Sequence, residues 1–148
     1  MMKKMFLAVV GLVFSGAVMA EECTVDIHAT DQMTWDQLDV HVSGACKEFT
    51  VRLHHDGKLP KTTMGHGWVL TKVNDKAGVL AATAAAGASN NYVPPNDPRV
   101  IAFIPLVGGG ETHEVTIDTS KLKHGEEYLY FCPFPGHSAT MKGELFFG

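Results

Sequence analysis

The sequence predicts an all-β fold, an eight-stranded Greek-key β-sandwich with one short inserted helix. About eight short segments are rich in apolar residues, often at every second position. Turn-forming residues separate these segments from one another. No internal repeat is present, and one alanine-rich stretch carries the only helical pattern. Many short strands joined by turns are typical of a two-sheet sandwich.

The first twenty residues are interpreted as a signal peptide. Lys3 and Lys4 form a basic start, and residues 5–18 are apolar but too short to span a bilayer comfortably. Small residues near Ala20 predict cleavage after that position, which leaves residues 21–148 as a single domain. The alternative, an uncleaved N-terminal anchor, is disfavoured because no stop-transfer pattern follows.

The charge of the predicted domain excludes some classes of partner. Of 12 basic residues, Lys3 and Lys4 are lost with the signal peptide, while all 16 acidic residues remain, so the net charge becomes 10 − 16 = −6. An acidic domain without a basic patch binds nucleic acid and anionic membranes poorly. No further long apolar segment follows, so we expect no membrane insertion after cleavage.

Residues 25–53 follow a mostly two-residue period, as where Val25 and Ile27 alternate with polar neighbours. This pattern predicts three short, half-buried strands. Residues 54–57 are predicted to form a turn, with His55 exposed to solvent.

Helix and strand patterns alternate in the following segment. Residues 76–86 are predicted as an alanine-rich helix that Asn74 or Asp75 caps and Gly87 ends, although a flexible flap is the alternative. Further strands are predicted at residues 68–73, 99–106, 111–118, 128–132 and 143–147, with Trp68 in the core.

Three potential metal donors lie close together near the C-terminus, at Cys132-x4-His137-x3-Met141 spacing. Two prolines and a glycine between Cys132 and His137 exclude a helix, so the donors are predicted on a loop that follows strand 128–132. A strand end and a tight loop can hold three donors around one point.

These donors indicate copper. Thiolate and thioether ligands are soft, imidazole suits copper and zinc, and two histidines, a cysteine and a weak axial methionine are the recurring set of blue-copper sites. Such a site needs a second histidine, and His66, directly after Gly65 and before an apolar run, can supply it. We therefore predict one bound copper ion that cycles between Cu(I) and Cu(II).

With these motifs, an early cysteine pair and the same order of segments, the chain resembles the bacterial blue-copper proteins of the cupredoxin family over essentially everything after residue 20. The resemblance implies a cupredoxin-like sandwich and a type 1 copper protein of the periplasm. It also implies that the protein is a monomer and that it is an electron carrier, not an enzyme. It implies single-electron shuttling between redox proteins such as cytochromes or reductases. It also implies equatorial ligands at His66, Cys132 and His137, a long axial Met141 and a weak contact from the Gly65 carbonyl.

The three cysteines are an odd number for an exported domain. Cys23 and Cys46 lie in early predicted strands and could form a disulfide in an oxidising compartment. The sequence alone also allows either of them to pair with Cys132. The resemblance implies the Cys23–Cys46 bridge and a free Cys132. An inert buried thiol at Cys132 is the plainer alternative.

The resemblance further implies an apolar patch for partner docking around the ring edge of His137, formed with Met33, Met64, Phe134 and Pro135. Such a patch suits weak docking because it excludes water without burying charge. Burial of both methionines in the core is the alternative.

Some positions depart from the family pattern. Gly67 and Pro133 stand where the family usually has Asn and Thr, so a side-chain tie between the two ligand segments is lost, although Gly67 and Phe134 keep N–H groups for the thiolate. We predict an altered reduction potential, without a sign. Phe103 replaces a frequent surface histidine, so no extra metal site is expected there, and His55 is implied to lie near His66.

Two other classes of function compete with an electron carrier. A copper donor or storage module would more often be rich in methionine or histidine, but residues 21–148 contain three methionines and no histidine tract. An enzyme could use Cys132 and His137 as nucleophile and base, but it needs a third group to orient the base. Turnover of a small substrate would favour the enzyme.

Overall fold

A computed structural model describes residues 22–148, so the predicted signal peptide and its cleavage site lie outside the described residues. Eight strands and two α-helices follow one another along this part of the chain. The strands are β1 (Thr24–Ala29), β2 (Asp39–Val42), β3 (Glu48–His55), β4 (His66–Lys72), β5 (Ala102–Val107), β6 (Thr112–Asp118), β7 (Tyr128–Phe131) and β8 (Lys142–Phe147). The helices are α1 (Lys61–Met64) and α2 (Lys76–Ala86).

The strands form two mixed sheets, in the orders β1-β3-β6 and β2-β8-β7-β4-β5. Strand β1 pairs with β3 in parallel, β2 pairs with β8 in parallel, and the other pairs are antiparallel. Strands distant in sequence thus become neighbours, as in a Greek-key sandwich. The predicted fold class is confirmed.

The main hydrophobic core lies between the two sheets and contains residues from both, among them Ile27, Leu53 and Leu145. Trp68 is fully buried there, as predicted, and the ring of Tyr130 lies 5.6 Å from it and 5.5 Å from Trp35. Inward-facing residues at every second position of the strands supply this core.

Helix α2 covers the outer face of the five-stranded sheet. Val79 of the helix packs with Val69, Val93 and Phe131 in a second, smaller apolar cluster. The helix agrees with its predicted bounds, but Asp75 at its N-cap makes no side-chain capping hydrogen bond. Asp75, one of the two predicted cap residues, therefore occupies the N-cap position without the side-chain bond of a cap.

Two local predictions differ from the structure. Strand β3 continues through His55, so the predicted turn at 54–57 is wrong, and the chain leaves the sheet at Asp56 instead. Helix α1 was not predicted, because one helical turn after Pro60 carries no periodic apolar pattern.

The predicted Cys23–Cys46 bridge is present, with a Cα–Cα distance of 5.7 Å, and Cys132 is a free, buried thiol. The bridge ties the start of β1 to the segment before β3. In the chain-entropy model, closing a loop of this length stabilises the fold by about 3 kcal/mol. Within residues 22–148, no helix is long and apolar enough to cross a membrane.

Candidate metal centre

Three buried side chains from distant parts of the sequence converge at one end of the sandwich. His66 begins β4, Cys132 follows β7 directly, and His137 lies in the loop before β8. One donor atom from each lies within 4.8 Å of the others, and this is the one such group of three or more His, Cys, Asp or Glu residues among residues 22–148. The structure thus brings together His66, Cys132 and His137, the three nitrogen and sulfur donors that the sequence analysis names.

Cys132 lies at the buried centre of the group. Its Sγ accepts a hydrogen bond from the backbone N–H of Gly67 at 3.5 Å, and the N–H of Phe134 also points to it. Burial raises the pKa of the Cys132 thiol to about 12, although both N–H groups favour the thiolate. Without a metal the sulfur is therefore protonated, and a bound cation would have to displace the proton.

The ring of His66 is held in one orientation. Its Nε2–H donates to the carbonyl oxygen of Thr30 at 2.7 Å, which leaves Nδ1 as the atom free to bind a metal. Nδ1 is buried and has no hydrogen-bond partner among the described residues. Burial lowers the pKa of His66 to about 4, so the ring is neutral near pH 7. A buried, unpaired, neutral imidazole nitrogen fits a metal ligand.

His137 opens a short 3₁₀ turn after Gly136, whose φ of 81° favours glycine. The turn places Nδ1 of His137 3.7 Å from Sγ of Cys132, and the imidazole lies 4.5 Å from the ring of Phe134. The side chain is 3% exposed, and burial lowers its pKa as well. Both imidazoles are therefore neutral near pH 7, the form in which histidine binds a metal cation.

Met141 and Gly65 lie next to this group. Met141 is fully buried, its N–H donates to the His137 carbonyl, and its carbonyl accepts from the Cys132 N–H at 3.0 Å, so the backbone fixes it beside two of the donors. The Gly65 carbonyl oxygen lies 4.0 Å from Sγ of Cys132. Any side chain at Gly65 would collide with the Lys61 carbonyl.

His55 packs against His66, so the prediction that it is exposed to solvent in a turn is wrong. It is 1% exposed, and its ring stacks on that of His66 with centroids 4.4 Å apart. Nε2 donates to the Met64 carbonyl at 2.9 Å, and Nδ1 accepts from the Gly57 N–H at 3.0 Å. The inward alternation of Phe49, Val51 and Leu53 continues in phase to His55, and that signal could have located it.

The residues of the predicted apolar patch differ in their exposure. Met33 is 38% exposed, Pro135 is exposed, and Met64 and Phe134 are half-buried. Burial of Met33 in the core, the alternative considered above, is therefore wrong. Phe103, on β5, is exposed and is not part of this group.

The donor set fits copper by its chemistry. Two imidazole nitrogens and one thiol sulfur, with the buried Met141 bonded through its backbone to two of the three residues, match the soft and borderline ligands that copper prefers, whereas zinc rarely accepts a thioether. Two histidines outside the group are occupied otherwise. His28 and His54 stack on each other on the outer sheet face, where their ring nitrogens bond Asp56 and Asp26.

Comparisons with known proteins agree with this geometry. A sequence model of copper-binding proteins of the plastocyanin/azurin family matches residues 21–148. An azurin from Bordetella pertussis is 52% identical over 132 residues, which are 89% of this chain and 88% of the relative. Azurin-1 from Alcaligenes xylosoxydans xylosoxydans is 56% identical over 124 residues, which are 84% of this chain and 96% of the relative.

Solved structures include the azurin Az-iso2 from the methylotroph Methylomonas sp. strain J. It superimposes with a TM-score of 0.83 at 44% identity, covering 86% of this chain and 99% of that one. Sequence, fold and the buried donor group all agree, and the chain belongs to the plastocyanin/azurin family of copper-binding proteins.

Proposed function

We propose that this chain holds one copper ion at the His66, Cys132 and His137 group and carries single electrons between redox proteins of the periplasm. In this proposal the Met141 thioether would add a fourth ligand and the Gly65 carbonyl a further, weak contact. The observation that carries the proposal is the convergence of three buried donor atoms within 4.8 Å, one of them an imidazole nitrogen without a hydrogen-bond partner among the described residues.

Membership of the family identifies the chain as a copper protein that transfers electrons rather than an enzyme. When bound, copper supplies a one-electron cycle between Cu(II) and Cu(I). The protein's part is to hold its donors still and exclude water, since ligands fixed by β4, β7 and the loop before β8 have little freedom to rearrange. A thiol enzyme is disfavoured because a fully buried thiol with a raised pKa is a poor nucleophile.

Two features support export to the periplasm. Residues 1–20 have the composition of a cleavable signal peptide, with cleavage proposed after Ala20. The Cys23–Cys46 bridge is typical of a protein that folds in an oxidising compartment.

The apolar surface beside His137 supports transient docking of redox partners such as cytochromes or reductases. Met33 and Pro135 expose apolar atoms there, and Met64 and Phe134 contribute half-buried side chains. Removing water from an uncharged surface costs little free energy, and a complex formed on such a surface can dissociate quickly. Both properties suit a carrier that exchanges partners. We propose that the carrier itself is a monomer.

The test is the visible absorption spectrum of residues 21–148 after addition of Cu(II), repeated for Cys132→Ser and His66→Ala. We expect an intense blue band that bleaches on reduction and is lost in Cys132→Ser. His113→Ala, which removes a histidine outside the donor group, should keep the band. A colourless protein, or a band indifferent to Cys132, would contradict the ligand assignment.

A further inference from the structure

The loop of residues 30–34, between β1 and β2, forms a closed turn beside the metal centre. The Thr30 N–H donates to the Thr34 carbonyl at 2.9 Å, and the two hydroxyl groups are 2.7 Å apart. Met33 adopts a left-handed conformation with φ of 55°, which is unfavourable for a side chain larger than glycine. The carbonyl of Met33 accepts from the Thr140 hydroxyl at 2.7 Å. The loop therefore has one specified shape rather than many.

This loop makes the hydrogen bond that orients His66. The Thr30 carbonyl accepts from Nε2 of His66 at 2.7 Å, and that bond decides both the ring orientation and which nitrogen remains for the metal. A displacement of Thr30 would rotate the imidazole or release it. The position of the Thr30 carbonyl is thus part of the geometry of the metal centre.

Asp31, the next residue, is anchored through its side chain. Its Oδ2 accepts from the Lys58 N–H at 2.8 Å and its Oδ1 from the Leu59 N–H at 3.2 Å. The carboxylate is 23% exposed and packs so closely on Gly57 that no side chain at that position would fit. Hydrogen bonds between a carboxylate and backbone N–H groups are charge-assisted and stronger than neutral ones.

The anchored segment is the one that leads into His66. Residues 57–59 precede helix α1, which ends at Met64, and Gly65 alone separates α1 from His66. Asp31 follows Thr30, which accepts the hydrogen bond, and its carboxylate is bonded to the segment that leads into His66, which donates it. One carboxylate thus ties the loop that holds the Thr30 acceptor to the segment that leads, through α1, into His66.

We propose that Asp31 is a positioning residue for His66, and that it holds the Thr30 carbonyl where the imidazole needs it. This inference rests on the proposed function, in which His66 is a metal ligand. Asp31 bonds the backbone rather than the donor group, and its Oδ1 also lies 3.8 Å from Nε2 of His55, whose ring stacks on His66.

Asp31→Asn tests the role with almost no change of shape. One carboxylate oxygen becomes an amide NH₂ group, a donor, which cannot accept either backbone N–H, so one of the two anchors is lost. Asp36→Asn is the matched control because it removes one negative charge from the same β1–β2 connection. The Asp36 carboxylate instead accepts from the His28 N–H at 2.8 Å.

The first measurement uses metal-free protein, so that it does not depend on metal binding. We expect solvent exchange of the His66 Nε2–H, followed by NMR, to be about tenfold faster in Asp31→Asn, because the ring-orienting bond opens more often. Asp36→Asn should exchange at the wild-type rate. Equal rates in all three proteins, or equal acceleration in both variants, would overturn the proposal.

The second measurement is the visible band and reduction potential of the copper-loaded proteins. We expect both to shift in Asp31→Asn but not in Asp36→Asn, which a general loss of stability would not produce. Asp31→Ser, which adds no competing amide donor, replaces Asp31→Asn if that variant does not fold. Failure of both Asp31 variants to fold would contradict the proposal, because the role it assigns is local. Loss of the band in His66→Ala tests the ligand assignment separately.

Discussion

Gly67 packs directly against Pro133, the residue that follows Cys132. A β-carbon at residue 67 would lie 3.2 Å from Cδ of Pro133, 3.2 Å from Cδ2 of Leu106 and 3.1 Å from the Ile104 carbonyl. The proline ring thus occupies part of the space that a side chain at residue 67 would need. Residues 67 and 133 are therefore coupled by packing, because the side chain that fits at one position depends on the residue at the other.

This coupling predicts a non-additive double-mutant cycle. Gly67→Asn alone should destabilise the metal-free protein by about 1–3 kcal/mol, because the new side chain crowds Pro133 and Leu106. Adding Pro133→Thr should recover about 1 kcal/mol, since the threonine removes Cδ and can bond the new amide. Urea denaturation of the four proteins measures the coupling.

Redox titration of the same copper-loaded variants tests the predicted influence on the potential. We expect each single variant to shift the potential from that of the parent, because both residues flank the Cys132 sulfur. Additive stabilities in the cycle would show that the packing contact carries no coupling. Unchanged potentials would contradict the influence on the metal centre.

The sequence revealed the donors because their chemistry is local. Cys132, His137 and Met141 lie within ten residues on a loop that prolines exclude from a helix, so their spacing alone indicates a soft-metal site. Strand periodicity predicts β3, but Asp56 and Gly57 directly after His55 predict a turn, whereas in the structure His55 still belongs to the strand. The turn-forming pair Asp56-Gly57 favours a turn at His55, although the alternation of buried residues along β3 continues in phase to that position.

Contacts made through the backbone were beyond sequence reasoning. The bond from His66 to the Thr30 carbonyl uses an acceptor that every residue possesses, so no residue type at position 30 signals it. The same holds for Asp31, whose carboxylate bonds two backbone N–H groups 27 and 28 residues further along. Such pairs form only when the sandwich brings distant segments together.

Copper binding should release about one proton per ion between pH 7 and 8. Burial raises the pKa of the Cys132 thiol to about 12, so the thiol is protonated in the metal-free protein and must lose its proton to bind. Both histidines are already neutral, because burial lowers their pKa values. Calorimetric titration with Cu(II) in buffers of different ionisation enthalpy measures the proton count, and Zn²⁺ serves as a redox-inert comparison.

The control for this proton count is Cys132→Ser, which should release about none, because a serine hydroxyl keeps its proton. Zero release from the wild-type chain would show that the thiolate exists before the metal binds.

The metal-free protein should lose stability as the pH falls from 7 to 5. His66 is neutral in the folded state down to a pKa of about 4, whereas in the unfolded chain it takes up a proton near pH 6.5. The unfolded state therefore binds more protons in this window, and folding becomes less favourable by about 2 kcal/mol between pH 7 and 5. Burial of His137 acts in the same direction.

Urea denaturation of metal-free protein at several pH values measures this slope, and His66→Gln should flatten it because glutamine does not titrate. His113→Gln, in which an exposed histidine outside the donor group is removed, should keep the wild-type slope. An unchanged slope in His66→Gln would show that another group causes the pH dependence.

A charge placed on the apolar patch should slow electron exchange between two copies of the chain. Met33→Lys puts a positive charge beside the docking surface of both molecules, so the encounter suffers like-charge repulsion and an added desolvation cost. We expect the self-exchange rate at low salt to fall about tenfold and to recover partly as salt screens the repulsion. Line broadening in NMR spectra of mixed Cu(I) and Cu(II) protein measures the rate.

Phe146→Lys is the matched control for this patch. Phe146 is 41% exposed, stacks on His41, and lies near the end of β8 remote from Met141, which precedes the strand. The substitution adds the same charge to the same chain but outside the patch, so the total charge of the two variants is equal. If docking occurs at the patch, Phe146→Lys keeps a nearly wild-type rate. Equal slowing in both variants would mean that net charge, not the location of the lysine, controls the encounter, and the patch would lose its role in docking.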